Sequence, residues 1–290
     1  MNLPRILALI ESVSDSKALF IGETIVDEYR FVSAMGKPAK ESVLAVNLHE
    51  VEIYRGGVSA ACAHAASFCQ TILVTNNGEI RKARYIEENY TKKLFEVQSI
   101  LDVEPLVFTS DQQIPGADAI VVIDYGHGLL SQETIDRLCA CGKFLAVTAQ
   151  TNAANMGFNL VTKYPRADYM VIDEPEARWA AHDRHSSIED VMRKLAHGRC
   201  DKMVVTQGKH GASGLHDGRF FHVDTFNKEV TDTMGAGDAF FAVTAPMAKT
   251  GCMEDLLVIG NAAGSLKTHI VGHRGSVTKE RLIEYLESHH

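Results

Sequence analysis

The sequence predicts an α/β fold with a mainly parallel central sheet and helices on both faces, and three observations support it. Short apolar runs recur along the chain, each closed by a glycine or a polar residue. Segments of helical period lie between them. Two longer stretches alternate apolar with polar residues, which marks a second, smaller sheet. A strand covered on both faces reads as a continuous apolar run, so the first two observations together mean a buried parallel sheet.

The strand-like runs are ALFIG (18–22), TILVTN (71–76), AIVVIDYG (119–126), FLAVTAQ (144–150), YMVIDEPE (169–176) and KMVVTQG (202–208). The helical segments between them are SAACAHAASFC (59–69), SQETIDRLCACG (131–142) and SIEDVMRKLAHG (187–198). After residue 231 come AFFAVTAPMAKTG, MEDLLVIGNAAGSLKTHIVG and TKERLIEYLESH. Ligands of such sheets bind at the carboxyl ends of the strands. Glu23, Asp124, Gln150, Glu176 and Gln207 close runs, so each is a candidate to line one crevice. Residues 28–55, around a Gly-Lys-Pro turn, and 80–98 predict antiparallel strands that would cover the crevice as a lid. No repeat, low-complexity tract or Pro/Ser-rich linker divides the chain, so 1–290 reads as one domain carrying this lid.

The 290 residues are 46% apolar and 23% charged, ordinary for a soluble globular protein with a sizeable core. The net charge is −8 and no basic stretch is interleaved with aromatics, which argues against a nucleic-acid partner. The opening MNLPRILALIESVSDSK is broken by Glu11 and reads as an amphipathic helix, not a signal peptide. No run of about 18 apolar residues predicts a membrane span. The six cysteines, at 62, 69, 139, 141, 200 and 252, form no CxxC pair and read as small buried hydrophobes. The expectation is a cytoplasmic protein.

TDTMGAGDAFFA (231–242) carries the chemistry. Gly235 and Gly237 permit positive φ, and the apolar run from Ala239 reads as a helix, so converging amides would lie at a helix N-terminus. That is an anion site. Asp238 falls in the first turn, where the dipole would keep its carboxylate ionised and able to act as a base. Phosphate oxygens beside an ionised carboxylate suit phosphoryl transfer. Taken alone, the turn fits an ordinary helix cap equally well.

DTMGAGD resembles the Asp-Thr-x-Gly-Ala-Gly-Asp signature of the ribokinase-like (PfkB-type) carbohydrate kinases. Other stretches follow in the family's order. IGETIVDEY (21–29) resembles its opening strand, Gly56-Gly57 its Gly-Gly motif and DEPE (173–176) its Asn-x-x-Glu. VTQGKHG (205–211) resembles its nucleotide segment, and NAAGS (261–265) the helix beside the adenine pocket. The resemblance spans the whole chain and implies a ribokinase-like three-layer sandwich. IDYGHGLLS and KARYIEENYTKKLFEV are similar to the heptose-7-phosphate kinase branch.

The resemblance implies an ATP-dependent kinase that phosphorylates a sugar hydroxyl, with a heptose phosphate or related sugar as acceptor. It makes Asp238 the base and gives the anion-hole amides to Gly235, Ala236 and Gly237. Glu23, Asp27, Gly56, Gly57, Asp124 and Asp232 would face the sugar, with a monovalent cation (K⁺) near Asp232. Thr206, Gly208, Gly211 and Asn261 would serve the nucleotide, and Glu176 would hold Mg²⁺ through water. Lid strands that pair between subunits imply a homodimer. The alternatives are a kinase of another small alcohol, such as a pentose or nucleoside, and a catalytically weak sugar- or nucleotide-binding regulator.

Four departures from the family pattern bear on function. Ala60 stands where the Gly-Gly motif has a sugar-binding Asn. His127 replaces the lysine of the branch's DYxKG and would titrate near neutrality. Asp173 replaces Asn in Asn-x-x-Glu, adding negative charge near the metal. Between Thr75 and Arg81 about thirty residues, the size of a βαβ unit, are missing relative to the family.

Overall fold

The computed structural model describes every residue except 37–39, 88–91, 109–115, 227–229 and 290. Lys37 and Pro38 of the expected turn lie outside the described residues, as do 88–91 within the second alternating stretch. The strands are β1 (Lys17–Gly22), β2 (Thr24–Ala34), β3 (Val46–Gly57), β4 (Gln70–Val74), β5 (Glu79–Glu87), β6 (Lys92–Leu101), β7 (Ala119–Asp124), β8 (Phe144–Ala149), β9 (Ala167–Asp173), β10 (Cys200–Thr206), β11 (Ala212–His216) and β12 (Arg219–Val223). The helices are α1 (Leu3–Ser12), α2 (Val58–Ala65), α3 (Gln132–Ala140), α4 (Glu174–Ala181), α5 (Ile188–Ala196), α6 (Ala236–Thr244), α7 (Met253–Thr268) and α8 (Lys279–Ser288).

Among the described residues, eight strands form the main sheet in the order β12-β11-β10-β9-β8-β7-β1-β4. The six from β10 to β4 run parallel; β11 pairs antiparallel with β10, and β12 antiparallel with β11. Successive side chains of a strand point to opposite faces, and both faces are apolar here. Phe20, Val121 and Ile123 face one core, formed with α1, α2, α6, α7 and α8. Leu19, Ile21, Ile120 and Val122 face the other, formed with α3, α4 and α5. This is the three-layer sandwich expected from the sequence. The chain leaves β1 for β4 on one side and β7 on the other, so the ends of β1 and β7 form the switch point where a crevice opens.

The second sheet has the order β3-β2-β5-β6. Its outer pairs are antiparallel as expected, but the central pair β2–β5 is parallel. The parallel main-sheet strands that feed them explain this difference: β1 and β4 run side by side and each passes directly into the second sheet at the same end. Residues 75–78 carry the chain from β4 straight into β5, which therefore enters in the direction of β2. The side chains of Thr75 and Asn76 accept from the Thr24 amide at 2.9 and 2.8 Å and fix that crossing. With no further unit beyond it, β4 is the edge of the main sheet, with Ile72 and Leu73 exposed. Among the described residues, no helix is long and apolar enough to cross a membrane.

Candidate active site

Residues 231–238 make a turn into α6. Gly235 caps the helix at φ 72°, a left-handed conformation that a side chain would strain, and no side chain caps the first turn. Ala236 donates only a long 3.3 Å bond to the Thr233 carbonyl. The orphan amides of a helix start therefore face outward beside a dipole that favours anions. They open on a cavity of about 850 Å³, lined by Gly235, Ala236, Gly237, Asp238, Glu176, Thr206, Gly208, Gly211 and Asn261 among others. The structure thus brings together all nine residues assigned from sequence to catalysis, nucleotide and metal.

Asp238 sits at the wall of this cavity. Its Oδ2 accepts from the Tyr125 hydroxyl at 3.1 Å, and its Oδ1 from the Gln150 amide. Burial raises its pKa above the ordinary aspartate value, while those two hydrogen bonds and the charges of His273 and Lys267 pull it back. The expectation that the helix dipole keeps it ionised thus meets an opposing effect, burial, which outweighs those favourable bonds and charges. The net upward shift moves the carboxylate toward the range where a general base works best at neutral pH.

The nucleotide-side glycines also build the β10–β11 hairpin, with Gly208 opening a short 3₁₀ turn and Gly211 closing it. Asn261 lies within α7, and its amide donates to the Val223 carbonyl at 3.0 Å. Glu176 forms a capping box with Asp173 at the start of α4. Its oxygens accept from the amides of Thr151 at 2.8 Å and Asp173 at 3.2 Å. Burial, then the Asp173 carboxylate, pushes its pKa up to about 8. Two acids raised in this way at a cavity wall, Asp173 also by burial, fit a divalent cation held through water, which would relieve their repulsion.

The sugar-side residues divide. Glu23 is fully buried and accepts from the amides of Tyr125 and His127, both at 3.0 Å. Asp124 is equally buried and holds Tyr164 and Lys163 at 2.5 Å and the Gly126 amide at 2.9 Å. Neither carboxylate lines the cavity; both brace the 124–127 turn that presents Tyr125 to Asp238. Asp27 pairs with Arg84 and, at 2.9 Å, with His273. A side chain on Gly56 would collide with that Asp27–His273 pair. Gly57 caps α2 at φ 61°. Asp232 bridges two loops, accepting from the Met234 and Gly272 amides at 3.0 and 2.9 Å.

His127 is buried, and its pKa is lowered to about 4 by burial and then by Lys82. It remains neutral at physiological pH, which corrects the expectation of a group titrating near neutrality. Its Nε2 has no hydrogen-bond partner. Lys82, Arg84 and Gln98 come from alternate positions of β5 and β6, on the same face as Asp27. Tyr125, Lys82, Arg84 and His273 were not singled out from the sequence. Tyr125 follows a strand end, which could have flagged it; His273 lies in a Gly-His-Arg-Gly loop that carries no pattern.

The fold and site together define an α/β enzyme with an anion-holding helix start and an adjacent base, open to a nucleotide-sized cavity. The model of the pfkB family carbohydrate kinases matches residues 128–280, more than half of the chain. The chain belongs to the pfkB family of carbohydrate kinases, phosphotransferases that act on an alcohol group. Among curated proteins it is 23% identical to the bifunctional protein HldE of Rhodopseudomonas palustris (strain BisB18), covering 89% of this chain and 61% of that one. It is 26% identical to the HldE of Bradyrhizobium diazoefficiens, covering 91% and 62%. The chain thus spans about three fifths of the length of the curated relatives it matches. Among solved structures, ribokinase from Thermotoga maritima superimposes with a TM-score of 0.71 at 15% identity, covering 94% of this chain and 99% of that one. Arabidopsis thaliana ribokinase complexed with ribose and ATP gives 0.70 at 13% identity, with the same coverage. Escherichia coli phosphofructokinase-2 in complex with potassium gives 0.68 at 14% identity, covering 96% and 99%. The place expected here for a potassium ion, beside Asp232, does not fit one: the Lys267 ammonium fills the carbonyl cage there.

Proposed function

We propose that this chain transfers the γ-phosphoryl group of ATP to a sugar hydroxyl, with Asp238 as general base and a phosphorylated heptose or related sugar as acceptor. The observation that carries the reading is the seating of Asp238 and the uncapped start of α6 on the wall of one cavity. ATP would lie along Thr206, Gly208, Gly211 and Asn261 with its phosphates toward α6. The acceptor would lie between Asp238 and the face of the second sheet that carries Asp27, with Gly56, Gly57 and Asp232 nearby.

Asp238 takes the hydroxyl proton as the acceptor oxygen bonds to the γ-phosphorus. The bond from that phosphorus to the bridging oxygen breaks, and ADP leaves. The amides of Gly235, Ala236 and Gly237 hold the charge on the transferring oxygens. Tyr125 and Gln150 orient the carboxylate from both sides. Mg²⁺, when bound, neutralises phosphate charge; Glu176 and Asp173 are the residues that would hold it through water. Glu23 and Asp124 act indirectly by fixing the 124–127 turn. Buried Lys82, beside neutral His127, supports an acceptor that already carries a phosphate, because its cation lacks the aqueous screening a surface lysine has.

Two copies would pair through the outer face of the second sheet, where Val51, Ile53, Phe95 and Val97 are exposed. The reaction is tested by ADP release with a panel of sugars and sugar phosphates. Asp238→Asn is expected to lose about 10²–10⁴-fold in turnover while still binding nucleotide. An Asp238→Asn variant as active as the wild type sinks the assignment. Binding without turnover by the wild type across the whole panel points instead to the regulator.

A further inference from the structure

Lys267, in the last turn of α7, is as inaccessible as the apolar core around it, at 0% exposed. It makes no ion pair among the described residues. Its Nζ donates instead to three backbone carbonyls: Met234 at 2.8 Å, Ile270 at 3.1 Å and Gly272 at 2.8 Å. An ammonium has three donors and no acceptor, so the three carbonyls use it completely.

The position of this cage gives it meaning. Met234 directly precedes Gly235, the cap of α6, while Ile270 and Gly272 belong to the loop after α7. The Lys267 Cε lies 3.4 Å from where a side chain on Gly235 would begin. Asp232 ties the same two loops together from the acidic side, through the amides of Met234 and Gly272. One cation and one anion thus staple the 231–235 turn to the 270–272 loop, beneath the amides that would receive phosphate. Carbonyl oxygens converging on one point are the ligand set of a monovalent cation stripped of its water. Here the site is filled by a cation that the chain itself supplies.

We infer that Lys267 is a tethered substitute for a monovalent cation, a positioning residue that fixes the anion-hole turn and makes activity independent of added K⁺. Its charge also reaches the base, since the Lys267 field favours the ionised form of Asp238. Removing the ammonium leaves three carbonyls converging on a vacant point, which a free ion of suitable radius can enter.

The inference rests on the kinase reading for its turnover measurement only; a second measurement does not need turnover. Wild-type protein is assayed in potassium, ammonium, lithium and tetramethylammonium chlorides at one ionic strength, and the same turnover is expected in all four. Lys267→Met, which keeps an unbranched apolar stem and removes the ammonium, is expected to lose about 10²-fold in tetramethylammonium, as a misplaced reactive group does. Ammonium or potassium should restore part of that loss, and lithium should not. Independently, the melting temperature of Lys267→Met should rise with potassium concentration, as for any ligand that binds only the folded state, while that of the wild type should not distinguish the salts. Wild-type turnover that requires potassium overturns the inference. So does a Lys267→Met protein that works like the wild type in every salt, or one that stays unfolded in all of them. If the wild type phosphorylates nothing in any salt, the kinase reading fails and the melting series still decides this one.

Discussion

Glu23, Asp124 and Asp238 lie close together at the strand ends, and what occupies their lone pairs separates their roles. Backbone amides, Tyr164 and Lys163 consume the first two, whereas Asp238 is held by two side chains and opens on the cavity. Glu176 offers a test of the site's electrostatics. In the folded chain its carboxyl keeps its proton up to about pH 8, against an ordinary value of 4.5. Between those values the folded state binds more protons than the unfolded one, so stability falls as pH rises through this window, by up to about 1.4 kcal/mol per pH unit. Glu176→Gln, in metal-free buffer, is expected to flatten that slope. Thermal melting from about pH 5 to pH 8 checks it, and an unchanged slope would assign the effect elsewhere.

The second sheet sorts its residues by the period of two. Ile53, Glu28, Ala83 and Val97 are paired across its four strands in one row, and Val51, Arg30, Tyr85 and Phe95 in the next on the same face. Arg30 and Arg81 neutralise buried Glu28, and Tyr85 stacks on Phe95 at 4.3 Å, which leaves that face largely apolar. The opposite face presents Asp27, Lys82, Arg84 and Gln98. The proposed pairing predicts a dimer for the wild type and a monomer for an Ile53→Lys, Val97→Lys double variant at the same concentration, by light scattering. Wild-type monomer at every concentration would refute the pairing.

Across the whole molecule, the sheet is closed differently at its two ends. β12 ends an antiparallel hairpin, while β4 ends in an exposed parallel edge. Ile72 is 45% exposed there, whereas Phe20 on neighbouring β1 is completely buried. Ile72→Lys is therefore expected to change stability by no more than about 0.5 kcal/mol. Phe20→Ala should cost about 3–5 kcal/mol, and denaturant titration separates the two. A large loss on Ile72→Lys would mean that this edge is covered.

The strand-end residues show how far the sequence could be read. Gln150 and Glu176 close apolar runs and do reach the cavity; Glu23 and Asp124 close runs just as plainly and turn away from it. The same local pattern serves both outcomes, because the partners that decide, Tyr164, Lys163 and the amides of 125 and 127, are distant in sequence from at least one of the acids. His127 reads as a titrating group until its burial beneath Lys82 and Gln98 is known.

By itself the sequence determined the alternation of strands and helices, the glycine turn before α6 and the family, because these rest on local periodicity and on contiguous motifs. Only the tertiary structure decided which acids are free, that β2 and β5 run parallel, and that Lys267 sits in a cage of three carbonyls. A side chain's protonation and partners depend on atoms brought together from remote segments, and no spacing along the chain encodes that meeting.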